Sequence, residues 1–483
     1  MKKKYVRWTL WTIASPFILF IILCILIYLP PIQNFLVDKA AVYASEATGM
    51  NISVGRISLS FPLNLVVTNV DAASPHNDTL LSVRRLQVNV QLLPLLKKQV
   101  EVDGISLQGA TVNSNDLIHG MKLNGTLGEL FISSHGVALD PETAIVNKVL
   151  LKDTDLSLCL NDTAAADTAA SDTTYWKIIL QDIDLQNVSF ALDMPLDSLS
   201  LAASLDNAIL RDGLIDLHKS AYSLQTFRIE NGRVRYDNGK PLAADSLSSG
   251  LDPSHIALTD IGVKLDSLYY GGRNMKAIIS QFVLKERSGV EIVSATGRMV
   301  SNDKVLRVPS LKLETRDSYL ELNAAMDWNA LDFKGEGLMS ARLMADIGKP
   351  DVVRFMGRMD EKFVRQYPSE PLRIRTGIDG DLNKLKLTTL TAELPGALGL
   401  FARGELTHLT DSLLRGGDIT LEAETKDLKF VSTLAEGIEI PYGTRLEGKF
   451  TMAGTKMGTD LLLMQPEAQA VVAADTIPIT VYN

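Results

Sequence analysis

Cysteine is nearly missing from this 483-residue chain. Cys24 lies inside an apolar run, so Cys159 has no soluble partner and no intrachain disulfide staples the body. Aromatic residues make up 6% against 46% apolar residues, so a core here must be mostly aliphatic. Positive charge is also short: Lys and Arg number 48 against 57 Asp and Glu, a net charge of −9. Phosphate backbones are bound through basic patches, so nucleic acid is excluded as a partner. The six histidines (His76, His119, His135, His218, His255 and His408) are scattered without metal-ligand spacing, and no metal or cofactor is expected. Catalytic motifs are wanting too: there is no G-x-S-x-G elbow, P-loop or H-E-x-x-H. The acidic pairs Asp182/Asp184 and Asp153/Asp155 flank alternating strand positions, where solvated polar faces are the common outcome. Asp379-Gly380-Asp381 lacks the further ligands of a calcium loop and reads as a turn. The chain therefore reads as a non-enzyme.

What is present begins with one long uncharged run, Trp8 to Leu29. As a helix, its 22 residues would reach roughly 33 Å, enough for a hydrocarbon core of about 30 Å. Trp8, Trp11 and Tyr28 sit near its ends, at headgroup level. Lys2, Lys3, Lys4 and Arg7 precede it and no acid appears before Asp38, which sets the N-terminus in the cytoplasm and the remainder outside. A cleaved leader is the alternative, but the run is long and Tyr28-Leu29-Pro30-Pro31 offers no small-residue cleavage site.

Beyond the anchor the periodicity changes twice. Phe35, Leu36, Ala40, Tyr43, Ala44 and Ala47 recur at helical spacing, predicting a short amphipathic helix over about Asn34–Thr48 that stops at Gly49. From Asn51 the period is two. Ile57, Leu59, Phe61, Leu63 and Leu65 alternate with small or polar residues. So do Leu86, Val88, Val90 and Leu92, then Val188, Phe190 and Leu192. Leu306 with Val308, Leu311 with Leu313, and Tyr319 to Trp328 continue the style. Turns are expected at Asp103-Gly104, Asn231-Gly232, Asp237-Asn238-Gly239, Gly271-Gly272, Ser288-Gly289 and Gly416-Gly417. Helices are few: Asp351–Gln366, interrupted in pattern by Gly357, and Phe430–Glu436. Each follows an Asp-aliphatic pair, Asp346-Ile347 and Asp427-Leu428, a faint internal repeat. Asn161 to Thr174 is of low complexity and reads as a disordered loop. Asp-Ser and Asp-Thr pairs recur, as at Asp197-Ser198, Asp266-Ser267 and Asp411-Ser412. They resemble O-glycosylation sites of some envelope proteins and equally suit turns.

So many one-sided strands need cover, and the helices are too few to supply it. Periodicity alone leaves two architectures: sheets packed face to face in sandwiches, which would make a non-catalytic scaffold, or one long sheet curled so that its apolar lining is left for a ligand.

The order of the early features carries a resemblance. A Lys-rich tip, the anchor, Pro30-Pro31 and a helix ending Ala47-Thr48-Gly49 come first. Asn51-Ile-Ser-Val-Gly-Arg-Ile-Ser-Leu-Ser-Phe-Pro and Leu65-Val-Val-Thr-Asn-Val-Asp71 follow, then Leu86-Gln-Val-Asn-Val-Gln-Leu-Leu-Pro-Leu-Leu96 and Val100-Glu-Val-Asp-Gly-Ile-Ser-Leu-Gln-Gly-Ala-Thr-Val112. Over about the first 115 residues this resembles the TamB branch of the AsmA-like family, inner-membrane-anchored proteins of Gram-negative envelopes. The resemblance implies a mainly β fold, an N-terminal transmembrane helix followed by an elongated curled sheet, a β-taco with an apolar groove. It also implies phospholipid as cargo, a role in outer-membrane biogenesis, and an outer-membrane assembly barrel as partner. TamB proteins are much longer, and the β domain with which they meet the barrel lies beyond the stretch matched here. The expected order is a cytoplasmic tip (1–7), the anchor (8–29), the short helix (30–50), an N-terminal β region (51–160), the loop (161–174) and a continuing groove region (175–483). The expected groove lining is Ile57, Leu59, Leu63, Leu65, Leu86, Val88, Val90, Leu92, Val188, Phe190 and Leu192.

Overall fold

A computed structural model describes residues 39, 41–42, 45–46, 48–60, 64–74, 79–91, 102–114, 120–138, 142–161, 176–239, 250–332, 336–357, 360–434, 443–454, 456–464, 471–474 and 479–480. The expected basic tip, the anchor over 8–29 and nearly all of the low-complexity run lie outside these residues, as do Leu63 and Leu92. Among the described residues no helix is long and apolar enough to cross a membrane. Residues 39, 41–42, 45–46 and 48 are helical. The Gly49 amide donates to the Ser45 carbonyl at 2.9 Å with φ at 69°, so the expected glycine stop is in place.

The rest is mainly β with few, short helices, in two units, Met1–His218 and Lys219–Asn483. The first holds β1 (Asn51–Ser60), β2 (Asn64–Ala73), β3 (Thr79–Val90), β4 (Val102–Asn113), β5 (Met121–Ala138), β6 (Thr143–Leu160), β7 (Lys177–Met194) and β8 (Leu199–Asp216). Each pairs with the next, antiparallel throughout except for the parallel pair β6–β7. Parallel neighbours need a crossover connection, and the low-complexity run falls in that link.

One fold line crosses every strand of this unit. Gly55, Asn69, Arg84, Gly109, Gly128, Asp153, Asn187 and Asp206 stand opposite one another in register, and the ladder skips each of them. Four are left-handed: Asn69 (φ 53°), Gly109 (φ 61°), Asp153 (φ 50°) and Asn187 (φ 51°). Only Gly, Asn and Asp take that conformation cheaply, which accounts for the residue types. The Asn187 side-chain amide donates to Asp153 Oδ1 at 2.9 Å along the line. At Gly128 an added Cβ would stand 2.7 Å from Asp153 Cβ, so the strands approach too closely there for a side chain.

The second unit holds β9 (Ala221–Leu224), β10 (Thr226–Asn238), β11 (His255–Gly271), β12 (Asn274–Glu286), β13 (Glu291–Ser301), β14 (Val305–Thr315), β15 (Tyr319–Asp327) and β16 (Met339–Ile347). It continues with β17 (Leu372–Gly380), β18 (Lys384–Leu394), β19 (Leu398–Thr407), β20 (Gly416–Thr425), β21 (Arg445–Ala453), β22 (Lys456–Met464), β23 (Val471–Ala474) and β24 (Ile479–Thr480). From β10 to β22 it is an antiparallel meander. β9 lies on β11, and both β23 and β24 lie on β22.

Several local expectations are corrected. Asp103-Gly104 lies inside β4, and Gly416-Gly417 opens β20 rather than turning the chain. Asn231-Gly232 is a bulge within β10, where Asn231 takes φ 54° and the register slips. Turn residues and bulge residues need the same positive φ, so sequence alone confuses them. The helix expected over Asp351–Gln366 is two helices, α1 (Lys349–Met356) and α2 (Glu361–Gln366). Gly357 at φ 75° ends the first, and the Asp360 side chain caps the second by accepting from the Lys362 amide at 2.8 Å. The shorter helix expected at Phe430–Glu436 is a 3-10 turn, Lys429–Thr433.

These helical pieces hold the closed core of the second unit. Phe363, Tyr367 and Phe430 meet ring to ring, with centroids 5.1 to 5.8 Å apart, over Leu394, Ala397 and Leu428. α1 is bolted to the β14–β15 turn by Asp351, which is 1% exposed. Its carboxylate accepts from the Thr315 hydroxyl and from Ser318 Oγ at 2.6 Å, and Arg354 lies 3.1 Å away.

Candidate functional site

The site is built from strand alternation. In the first unit Leu59, Leu65, Val88, Ile105, Ile132, Val149, Ile183 and Leu210 form one row of direct cross-strand partners. Ile57, Val67, Leu86, Leu107, Leu130, Leu151, Leu185 and Ala208 form the next. Directly opposed residues point to the same side, so these rows make one aliphatic surface. The expected lining residues Ile57, Leu59, Leu65, Leu86 and Val88 are thereby brought together, and Val90 pairs with Val102 at the margin.

Val188, Phe190 and Leu192 lie beyond the fold line. On β7 the apolar positions run Ile183, Leu185, then Val188, Phe190 and Leu192, one residue out of phase after Asn187. Every strand shows the same slip: Leu65 and Val67 before Asn69, Val70 and Ala72 after it; Ile105 and Leu107 before Gly109, Ala110 and Val112 after it. The left-handed residue inverts the pleat and so keeps the apolar set on one side. Residues on both sides of the line and close to it are well enclosed: Ala208 at 4%, Val83 at 5% and Thr154 at 2%. Away from the line most apolar side chains of the rows are half-buried, and Phe190 and Ile105 are exposed.

The second unit has its own rows, of which the sequence pattern announced only the start, at Leu311 and Leu313 and in Tyr319 to Trp328. Leu313, Leu320, Ala345, Ile374, Ala392, Leu400, Ala423 and Leu446 stand in register across eight strands. Leu311, Leu322, Leu343, Thr376, Leu390, Ala402, Leu421 and Gly448 run beside them. Large side chains are interspersed with Ala, Gly and Thr, so a hydropathy pattern sees only part of each row. All but Ala345 in the first of these rows are half-buried.

The opposite faces are ionic. Arg211 holds both members of one acidic pair, Asp182 and, at 2.9 Å, Asp184, with Lys148 3.9 Å from Asp184. Of the other pair, Asp153 belongs to the fold line. Arg375 meets Asp346 at 2.7 Å and Arg373 meets Glu393 at 3.7 Å. Of the expected turn Asp379-Gly380-Asp381, Asp379 and Gly380 are the last two residues of β17, and only Asp381 lies in the turn, where it accepts from the Asn383 and Lys384 amides. Among the described residues no group of three or more His, Cys, Asp or Glu is placed to hold a metal ion. Asp197-Ser198 and Asp411-Ser412 lie in turns, whereas Asp266-Ser267 lies within β11. Chemically, the two faces offer aliphatic contact on one side and solvated ion pairs on the other.

No protein-family model matches the chain, and no curated protein matches it.

Proposed function

We propose that the apolar faces form a groove that holds phospholipid acyl chains, in an inner-membrane-anchored envelope protein of the AsmA/TamB type. In this reading residues 8–29 fix the chain to the inner membrane, the β body lies in the periplasm, and the protein serves lipid transport and outer-membrane biogenesis without catalysis. An outer-membrane assembly barrel is its expected partner.

The observation that carries the reading is the half-burial of registered aliphatic rows in both units. Two sheets packed as a closed sandwich would seal such rows. Left half-open, they match what an alkyl tail needs: contact worth about 0.8 kcal/mol per buried methylene, with no shape selectivity. The headgroup stays in water.

The test is lipid analysis of the full chain purified in mild detergent. Phospholipid is expected to co-elute with the wild-type protein and to be reduced in a Val88→Asp variant, which puts a charge in the middle of a row. Lipid-free wild-type protein, or a folded Val88→Asp variant that retains its lipid and supports normal envelope permeability, overturns the reading.

A further inference from the structure

The polar face of the second unit carries a hollow of about 400 Å³, flanked by Arg307 and Arg342. Register places its parts: Arg307 opposite Ala325, Ala325 opposite Ser340, and Ser340 opposite Asp379, with Arg342 opposite Gly377. The floor is made of small residues, and Gly377 is what leaves it open. A Cβ added there would stand 2.5 Å from the Thr388 hydroxyl oxygen and 3.9 Å from Arg342 Cγ, filling the space between them. Bulges frame it on both sides, between Val308 and Leu311 in β14 and between Leu387 and Leu390 in β18.

The charges are the second observation. Neighbouring arginines are neutralised: Arg316 by Glu291, Arg373 by Glu393 and Arg375 by Asp346. Among the described residues Arg307 and Arg342 form no ion pair, and Asp379 forms none either, although Lys386 stands directly opposite it on β18. Among the described residues, two guanidiniums and one carboxylate that are in no ion pair thus line one hollow.

We propose that this hollow binds a phosphate ester bearing an amine, of the phosphoethanolamine kind. The phosphate oxygens lie against Arg307 and Arg342, and the ammonium lies against Asp379. Guanidinium forks match phosphate oxygens in shape and charge. Asp379 repels a plain phosphate dianion, so it favours an ester that brings its own cation. The small floor admits a compact group. This site lies on the face opposite the aliphatic rows and does not rest on the acyl-chain reading.

Calorimetric titration of the full chain in neutral detergent tests it. Phosphoethanolamine is expected to bind about tenfold more tightly than inorganic phosphate, as charge pairing at both ends implies. The double variant Arg307→Gln/Arg342→Gln should lose both ligands. Asp379→Asn should abolish the preference while phosphate still binds, and Gly377→Ala should weaken the ester with circular dichroism unchanged. Glycerophosphoethanolamine distinguishes the source. Equal or tighter binding of this diester identifies a lipid headgroup, and preference for the monoester identifies a soluble metabolite. Silence of the wild-type protein to both phosphoethanolamine and phosphate overturns the proposal. So does binding unchanged in the double variant, or an Asp379→Asn variant that gains affinity for both ligands alike, which would mean that Asp379 engages an arginine internally.

Discussion

A carboxylate that is 1% exposed, as Asp351 is, has lost its water and must find replacements. It finds them in the Thr315 and Ser318 hydroxyls and in Arg354, which also reaches Asp317 at 2.9 Å. Removing the cation leaves a buried charge with hydroxyl partners only. Arg354→Met is therefore expected to destabilise the second unit by about 3 kcal/mol, read as a lower denaturant midpoint. Tyr367 supplies a pH test. Burial in the ring cluster raises its pKa above the ordinary value of 10.0. Below about pH 10 both folded and unfolded chains keep the phenol proton, and stability does not respond. Above it the unfolded chain releases the proton first, so stability falls as pH rises through the folded value. Tyr367→Phe should flatten this loss in unfolding titrations between about pH 9 and pH 11.

At the scale of the element, the fold line of the first unit is the feature that period-two reading handles least well. The strands themselves were legible from Ile57, Leu59, Leu86, Val88, Val188, Phe190 and Leu192. The link between Ile183–Leu185 and Val188–Leu192 was not, because the phase slips at Asn187 and a strict alternation treats the halves as unrelated. Asn187 at φ 51° also makes a direct test. Asn187→Ala should cost about 1–2 kcal/mol, from left-handed strain and the lost bond to Asp153, whereas Asn187→Gly should cost less than half of that. Equal costs for the two variants would show that the conformation at this position carries no strain. Helix boundaries were legible in part. Gly357 was visible as a weak point in the pattern, but whether it kinks or ends a helix depends on the new cap at Asp360.

At the scale of the whole molecule, each unit carries its own aliphatic surface, so their contributions to lipid binding should be separable. Leu151→Asp falls in the first unit and Leu400→Asp in the second. Each is expected to remove part of the co-purifying phospholipid, and the double variant nearly all of it, as measured by phosphorus content per protein. If either single variant alone removes everything, the two surfaces do not bind independently. Beyond Leu311, Leu313 and the Tyr319 to Trp328 run, the lining of the second unit escaped sequence reading for a chemical reason. Ala345, Ala392, Ala402, Ala423 and Gly448 occupy lining positions, but carry too little hydrophobic surface to mark a pattern.

The fold line has a further consequence for how such a chain can change over generations. Every strand of the first unit slips phase at one residue of the line, which is either left-handed itself, on β2, β4, β6 and β7, or directly opposite a left-handed neighbour. Nothing about the crease is held in common by distant parts of the sequence. A duplicated hairpin would bring its own inversion in register, and a deleted hairpin would take its own away. The sheet can therefore be lengthened or shortened two strands at a time while the neighbours keep both their pairing and their bend.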